Sequence, residues 1–192
     1  ENVDLNLIKD FIIKNDKGEF NSKLAKHYLD KNLSLGKIEK SCELFSIMKT
    51  IPDTEYILKY KIYCLIHADQ KEIAQLQYDL LKESGFKDNF FDKSFNYLMG
   101  YISDPEIKIS EESLLNFHLS YLSIKGFSFE PNKNTKKIIW RYLSSNNLLA
   151  KVNDIDLEDR DKIKSFEKAT NDGSYEETDL LDLYTRFQFN IY

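Results

Sequence analysis

The sequence predicts an all-α protein of about ten helices, arranged as successive antiparallel hairpins. Three observations carry this. Its 192 residues include only 6 Gly and 3 Pro, too few for the closely spaced turns of an all-β fold. Apolar residues recur at helical rather than strand spacing. Helical stretches of roughly 10 to 16 residues are joined mostly by short polar breaks, the pattern of packed hairpins. A hydrophobic content of 42%, with 13 Phe and 12 Tyr, supplies enough apolar surface for an ordered chain.

In chain order, Val3, Leu7, Ile8, Phe11 and Ile12 share one face of a first helix that ends near Asn15. A second carries Leu24, Ala25, Tyr28 and Leu29 and stops at Gly36, which tolerates the left-handed conformation of a helix end. Ile38, Ser41, Cys42, Phe45 and Met48 define a third, closed by "TIPDTE", where Pro52 cannot continue it. The fourth, capped by Asp53 or Thr54, presents Ile57, Tyr60, Cys64 and Ala68. The fifth presents Ile73, Leu76, Leu80 and Leu81 as its apolar face and ends at Gly85. Asp88 caps "NFFDKSFNYLMG". "YISDPEIKIS" has no helical period and reads as a connector leading to Ser110, the expected cap of "EESLLNFHLSYLSIKG". After a second connector, "TKKIIWRYLSSNNLL" is helical around Trp140, "DLEDRDKIKSFEKAT" is a solvated amphipathic helix, and Ser174 with Glu177 forms a capping box for the last one. Residues 1–192 read as one domain, with regular hairpins over 1–100 and a less regular helical part over 101–192. The first residue is Glu1, so a fragment of a longer precursor is expected.

The third and fourth helices form a hairpin turning about Pro52-Asp53, and Cys42 and Cys64 lie equally far from Asp53 on either side. Antiparallel helices of equal rise bring such positions to one height. A Cys42–Cys64 disulfide is the expected pairing and places the protein in an oxidising compartment. The alternative is two buried reduced thiols in a cytoplasmic protein.

"GKIEKSCELFSIMKTIPD" laid over "DQKEIAQLQYDLLKESGF" at an offset of 33 pairs Ser41 with Ala74, Phe45 with Tyr78 and Met48 with Leu81. With Gly36 and Ala68-Asp69 at the turns and Pro52 beyond the helix, residues 20–88 resemble degenerate tetratricopeptide repeats. That resemblance implies a right-handed solenoid of hairpins whose first helices line a concave groove for an extended peptide or partner helix. It assigns Tyr56, Lys59 and Tyr63 to that groove. The alternative is that these tyrosines wedge between hairpins. "SCELF…YCLI…LLKESGFKDNFF" also resembles helical envelope proteins of unassigned function in alpha-proteobacteria.

Several functions are disfavoured on chemical grounds. A net charge of −5, with interspersed signs and Arg only at positions 141, 160 and 186, does not attract nucleic acid. No apolar run reaches the ~20 residues of a membrane span. His27, His67 and His118 lack metal-ligand spacing, "DIDLEDRD" has Asp159 where a calcium loop needs Gly, and Asn32-Leu33-Ser34 is a chance sequon. Neither cysteine has an adjacent base, so no catalytic residue, metal or cofactor is expected. The sequence points to a non-enzymatic scaffold of the cell envelope, periplasmic or otherwise extracytoplasmic, that binds a protein or peptide. The alternatives are a helical enzyme or lipid-binding bundle with a buried pocket, and a structural subunit of a larger assembly. The aromatic end "YTRFQFNIY" suggests that the chain continues or docks onto something.

Overall fold

A computed structural model of the chain describes residues 4–15, 19–150 and 154–187. Among them are ten α-helices and no strand. Val3 of the expected first face and residues 188–192 of the aromatic end lie outside the described residues. The chain groups into two compact units, one comprising residues through Leu33 with Lys37–Phe127, the other Ser34–Gly36 with the residues from Ser128 onward.

Unit 1 holds α1 (Leu5–Lys14), α2 (Glu19–Ser34), α3 (Ile38–Ile47), α4 (Glu55–His67), α5 (Lys71–Glu83), α6 (Asn89–Met99) and α7 (Leu114–Ser123). Helix α4 packs against α3, α5 and α6, and α6 packs against α7. Leu29, Leu33, Leu44, Ile57, Tyr60, Phe91, Phe95, Leu115 and Phe117 form its fully buried interior. Unit 2 holds α8 (Lys137–Ser145), α9 (Arg160–Asn171) and α10 (Glu177–Thr185). Its core gathers Trp140, Ile155, Ile163, Phe166, Ala169, Tyr175 and Leu183, with Trp140 edge-on to Phe166 at 5.4 Å between ring centres.

Local chemistry sets the helix ends. The Asp88 carboxylate accepts from the Phe91 N–H to open α6, and Gly100, at φ +83°, closes it in a conformation that side-chain-bearing residues resist. Asp159, in the position where a calcium loop would need Gly, is the cap of α9 and accepts from the Lys162 N–H at 2.9 Å. Two expected caps are corrected. Ser113, not Ser110, caps α7 by accepting from the Asn116 N–H, because the helix opens at Leu114 and only Ser113 directly precedes it. The Ser174/Glu177 box does not form: the Ser174 N–H donates back to the Ala169 carbonyl at 2.8 Å, past Gly173 at φ +63°, which commits Ser174 to ending α9.

Cys42 on α3 and Cys64 on α4 are joined by a disulfide, with Cα atoms 5.3 Å apart. Their equal distance from the turn was the legible cause. Beside it, Ser41 is fully buried and its hydroxyl donates to the Leu29 carbonyl of α2 at 3.1 Å, so a small residue lets α3 approach α2 closely. The bond closes a loop across a sequence separation of 22, and the chain-entropy model assigns such a loop about 3 kcal/mol. Comparing urea unfolding of the oxidised protein with the Cys42→Ala/Cys64→Ala variant should show a loss of about that size. Coincident midpoints would contradict a stabilising staple.

Candidate functional site

Tyr56, Lys59 and Tyr63 are all committed to partners inside unit 1. The Tyr56 hydroxyl donates to the Asp30 carboxylate, which also receives Lys26, and the Lys26 ammonium lies 3.9 Å from the Tyr56 ring centre. Burial and the adjacent Asp30 charge hold the Tyr56 hydroxyl well above its usual pKa, so it stays a donor. Lys59 pairs with Asp88 at 2.8 Å. Burial pushes the Asp88 carboxyl up, but the bonds from Lys59 and the Phe91 N–H outweigh it and hold the group below its usual range. Tyr63 is buried and shares a 2.6 Å hydrogen bond with the His118 ring. All three side chains thus have their polar groups engaged within unit 1, with Tyr56 and Lys59 half-buried and Tyr63 buried.

Sequence spacing did not reveal the surroundings of Tyr63. Its ring stacks on His67 at 6.0 Å and meets His118 edge-on at 4.9 Å, so two histidines far apart in sequence flank one tyrosine. Burial, reinforced by His67, pushes the His118 pKa down to about 3. Such an imidazole is neutral at physiological pH and serves as a hydrogen-bonding core group. Among the described residues, no cluster of three His, Cys, Asp or Glu side chains could hold a metal. Asn32 of the sequon is buried and donates to the Tyr28 carbonyl within α2, which denies it to a glycan.

Two helices of unit 1 turn large apolar residues outward: α1, where Leu7 and Phe11 of the expected shared face are 67% and 41% exposed while Ile8 and Ile12 are buried, and α5. Ala74 and Leu81 are buried, whereas Ile73, Leu76 and Leu80 remain 49%, 57% and 51% exposed. Of the four apolar residues that the spacing gives this helix, Ile73, Leu76, Leu80 and Leu81, only Leu81 is thus buried. The structure turns α5 so that the smallest residue, Ala74, meets the interior, and the larger ones form an outward stripe at i, i+3, i+7. Alongside the stripe a groove of about 210 Å³ runs between α5 and α4, lined by Leu58, Ile62, Leu80 and Leu81 and by the polar Asp53, Gln77 and Ser84. Lys61 of α4 donates to Gln77 at 2.7 Å, and burial lowers the Lys61 pKa.

Two other concavities have different characters. A cleft of about 440 Å³ beside α6 is lined by Phe90, Lys93, Glu106 and Lys108, with Lys93 spent on the Glu106 carbonyl. In unit 2 an open cleft of about 600 Å³ is bordered by Leu157, Ile163, Tyr184 and Phe187, which belong to or pack on the Trp140 core. Tyr184 there donates to Glu167 at 2.5 Å. No helix among the described residues is long and apolar enough to cross a membrane. No known protein family, curated protein or solved structure matches this chain.

The depressed His118 pKa has a signed consequence. The unfolded state binds this proton below pH 6.5 and the folded state only near pH 3, so His118 removes stability as pH falls through that interval, by up to about 1.4 kcal/mol per pH unit. Urea unfolding at pH 7 and pH 4.5 should show a larger acid-induced loss for the native chain than for His118→Gln. Equal losses would mean that His118 titrates normally.

Proposed function

We propose that this chain is a non-catalytic protein-binding module of an oxidising, extracytoplasmic compartment, and that its α5 face is the binding surface. One observation carries the reading: a helix packed on one side presents Ile73, Leu76 and Leu80 to solvent on another, beside the α4/α5 groove. Single exposed apolar residues are ordinary, but three in helical register are what an amphipathic partner needs. The Cys42–Cys64 disulfide supports the compartment, because such bonds persist where thiols are not kept reduced.

The same reading takes α2 with α3 and α4 with α5 as hairpins of the tetratricopeptide kind. In its favour, Ser41 and Ala74, at the small positions of the repeat alignment, are both fully buried. The peptide site then moves from the Tyr56–Lys59–Tyr63 face, whose polar groups are already paired, to the outer face of α5.

A photo-crosslinking residue placed at Leu76 should give a discrete protein adduct in the native source. The adduct should disappear on adding Leu80→Asp and should not form from the exposed α9 position Lys164 in unit 2. Failure of Leu76 to crosslink any protein, or crosslinking indifferent to Leu80→Asp, would overturn the reading.

A further inference from the structure

Resting on the reading of α5 as a protein-binding face, the geometry points to one class of partner: an amphipathic α-helix with basic residues along a single edge. The two edges of the α5 stripe differ. At 100° per residue, Glu72, Asp79 and Glu83 fall together along the side away from α4. All three are exposed, and among the described residues none is ion-paired with a cation. Asp79 is held in place, accepting from Gln75 at 2.8 Å while the Gln75 carbonyl oxygen accepts from the Tyr101 hydroxyl at 2.9 Å. Tyr101 and Ile102, 59% and 38% exposed, add apolar surface beyond Gln75. On the opposite, α4 side stands Lys61, bonded to Gln77, with Asp53 as the one acid that lines the groove there, against three on the α5 edge.

An apolar strip with acids on one side and a lysine on the other selects both the composition and the orientation of what lies on it. The partner's leucine-like side chains enter the α4/α5 groove, and its Lys or Arg residues align with Glu72, Asp79 and Glu83. The acidic edge is about 16 Å long at 1.5 Å per residue, so about three turns of partner helix engage it. A second copy of α5 laid antiparallel fits poorly, because in that pair the like edges meet and acids oppose acids.

A labelled helical peptide of about 18 residues, with Leu at i, i+3, i+7 and Lys along one edge, is compared by fluorescence anisotropy with a twin carrying Glu on that edge. The basic peptide should bind at least about tenfold more tightly, with the margin shrinking at about 0.5 M salt. The preference should invert with the surface variant Glu72→Lys/Asp79→Lys/Glu83→Lys, and Leu76→Asp should lose both peptides. Circular dichroism confirms that each variant is folded. Equal binding of the twins overturns charge selection while leaving a protein-binding face in place. Binding that survives Leu76→Asp, or no binding of either peptide by the folded protein, overturns the assignment of this helix class to the groove, whereas absence of a Leu76 crosslink is what removes the binding face itself. A dimer in sedimentation that Leu76→Asp dissociates replaces the basic helix with a second copy of the chain.

Discussion

Buried residues cover most of the circumference of α4: Ile57, Tyr60, Ile62, Tyr63 and Cys64 all lie inside, and neighbouring helices occupy several sides. A helix so enclosed must satisfy every polar atom it carries inward, because a buried hydroxyl without a partner costs about 1–3 kcal/mol. The three tyrosines meet this demand separately. Tyr56 reaches Asp30, Tyr60 points at the Leu29 carbonyl at 3.4 Å, and Tyr63 finds His118. The partners sit on α2 and α7, so the polar tips of α4 specify which segments surround it as firmly as its apolar atoms do.

That arrangement commits the hydroxyls of the tyrosine face to the interior. A hydroxyl used to register α4 against α2 is not available to a ligand without leaving Asp30 and Lys26 to re-form their contacts. Apolar side chains left uncovered lie one helix along, on α5, which buries fewer of its residues than α4 does. It meets the interior through Ala74 and Leu81, and through Tyr78 stacked on Phe95 at 3.9 Å, while Ile73, Leu76 and Leu80 stay outside. Unlike α4, α5 has surface to spare.

Much of the helical order was legible because it depends on local chemistry. Gly36 and Gly85 have positive φ where helices end, Asp88 caps α6, and the equal spacing of Cys42 and Cys64 about Asp53 encodes their pairing. What escaped depends on competition between neighbours. Ser174 has the right spacing for a capping box, yet the preceding helix recruits it first. Ser110 loses to Ser113 because α7 opens three residues later than the run of acids and serine suggests, at Leu114. For α5 two readings of the sequence competed: it offers two apolar stripes, Ala74 with Leu81 and Ile73 with Leu76 and Leu80, periodicity alone favours the larger one as inner, and only the alignment with Ser41 and Met48 favours the pair that is buried. Only the room left beside α4 decides it. Likewise, no spacing rule could place His118 against Tyr63, since the contact spans 55 residues.

The disulfide also changes the connectivity of the chain. Residues 42 to 64 form a covalent ring, and the α3–α4 connector inside it exposes Lys49, Asp53 and Thr54 to solvent. A protease cutting there would sever the backbone without releasing either part, since the chain before the cut and the chain after it would still be bridged by sulfur. In an environment rich in proteases, the most accessible link between these two helices is thus one whose loss need not separate them, and the nick would become visible only once the molecule was reduced.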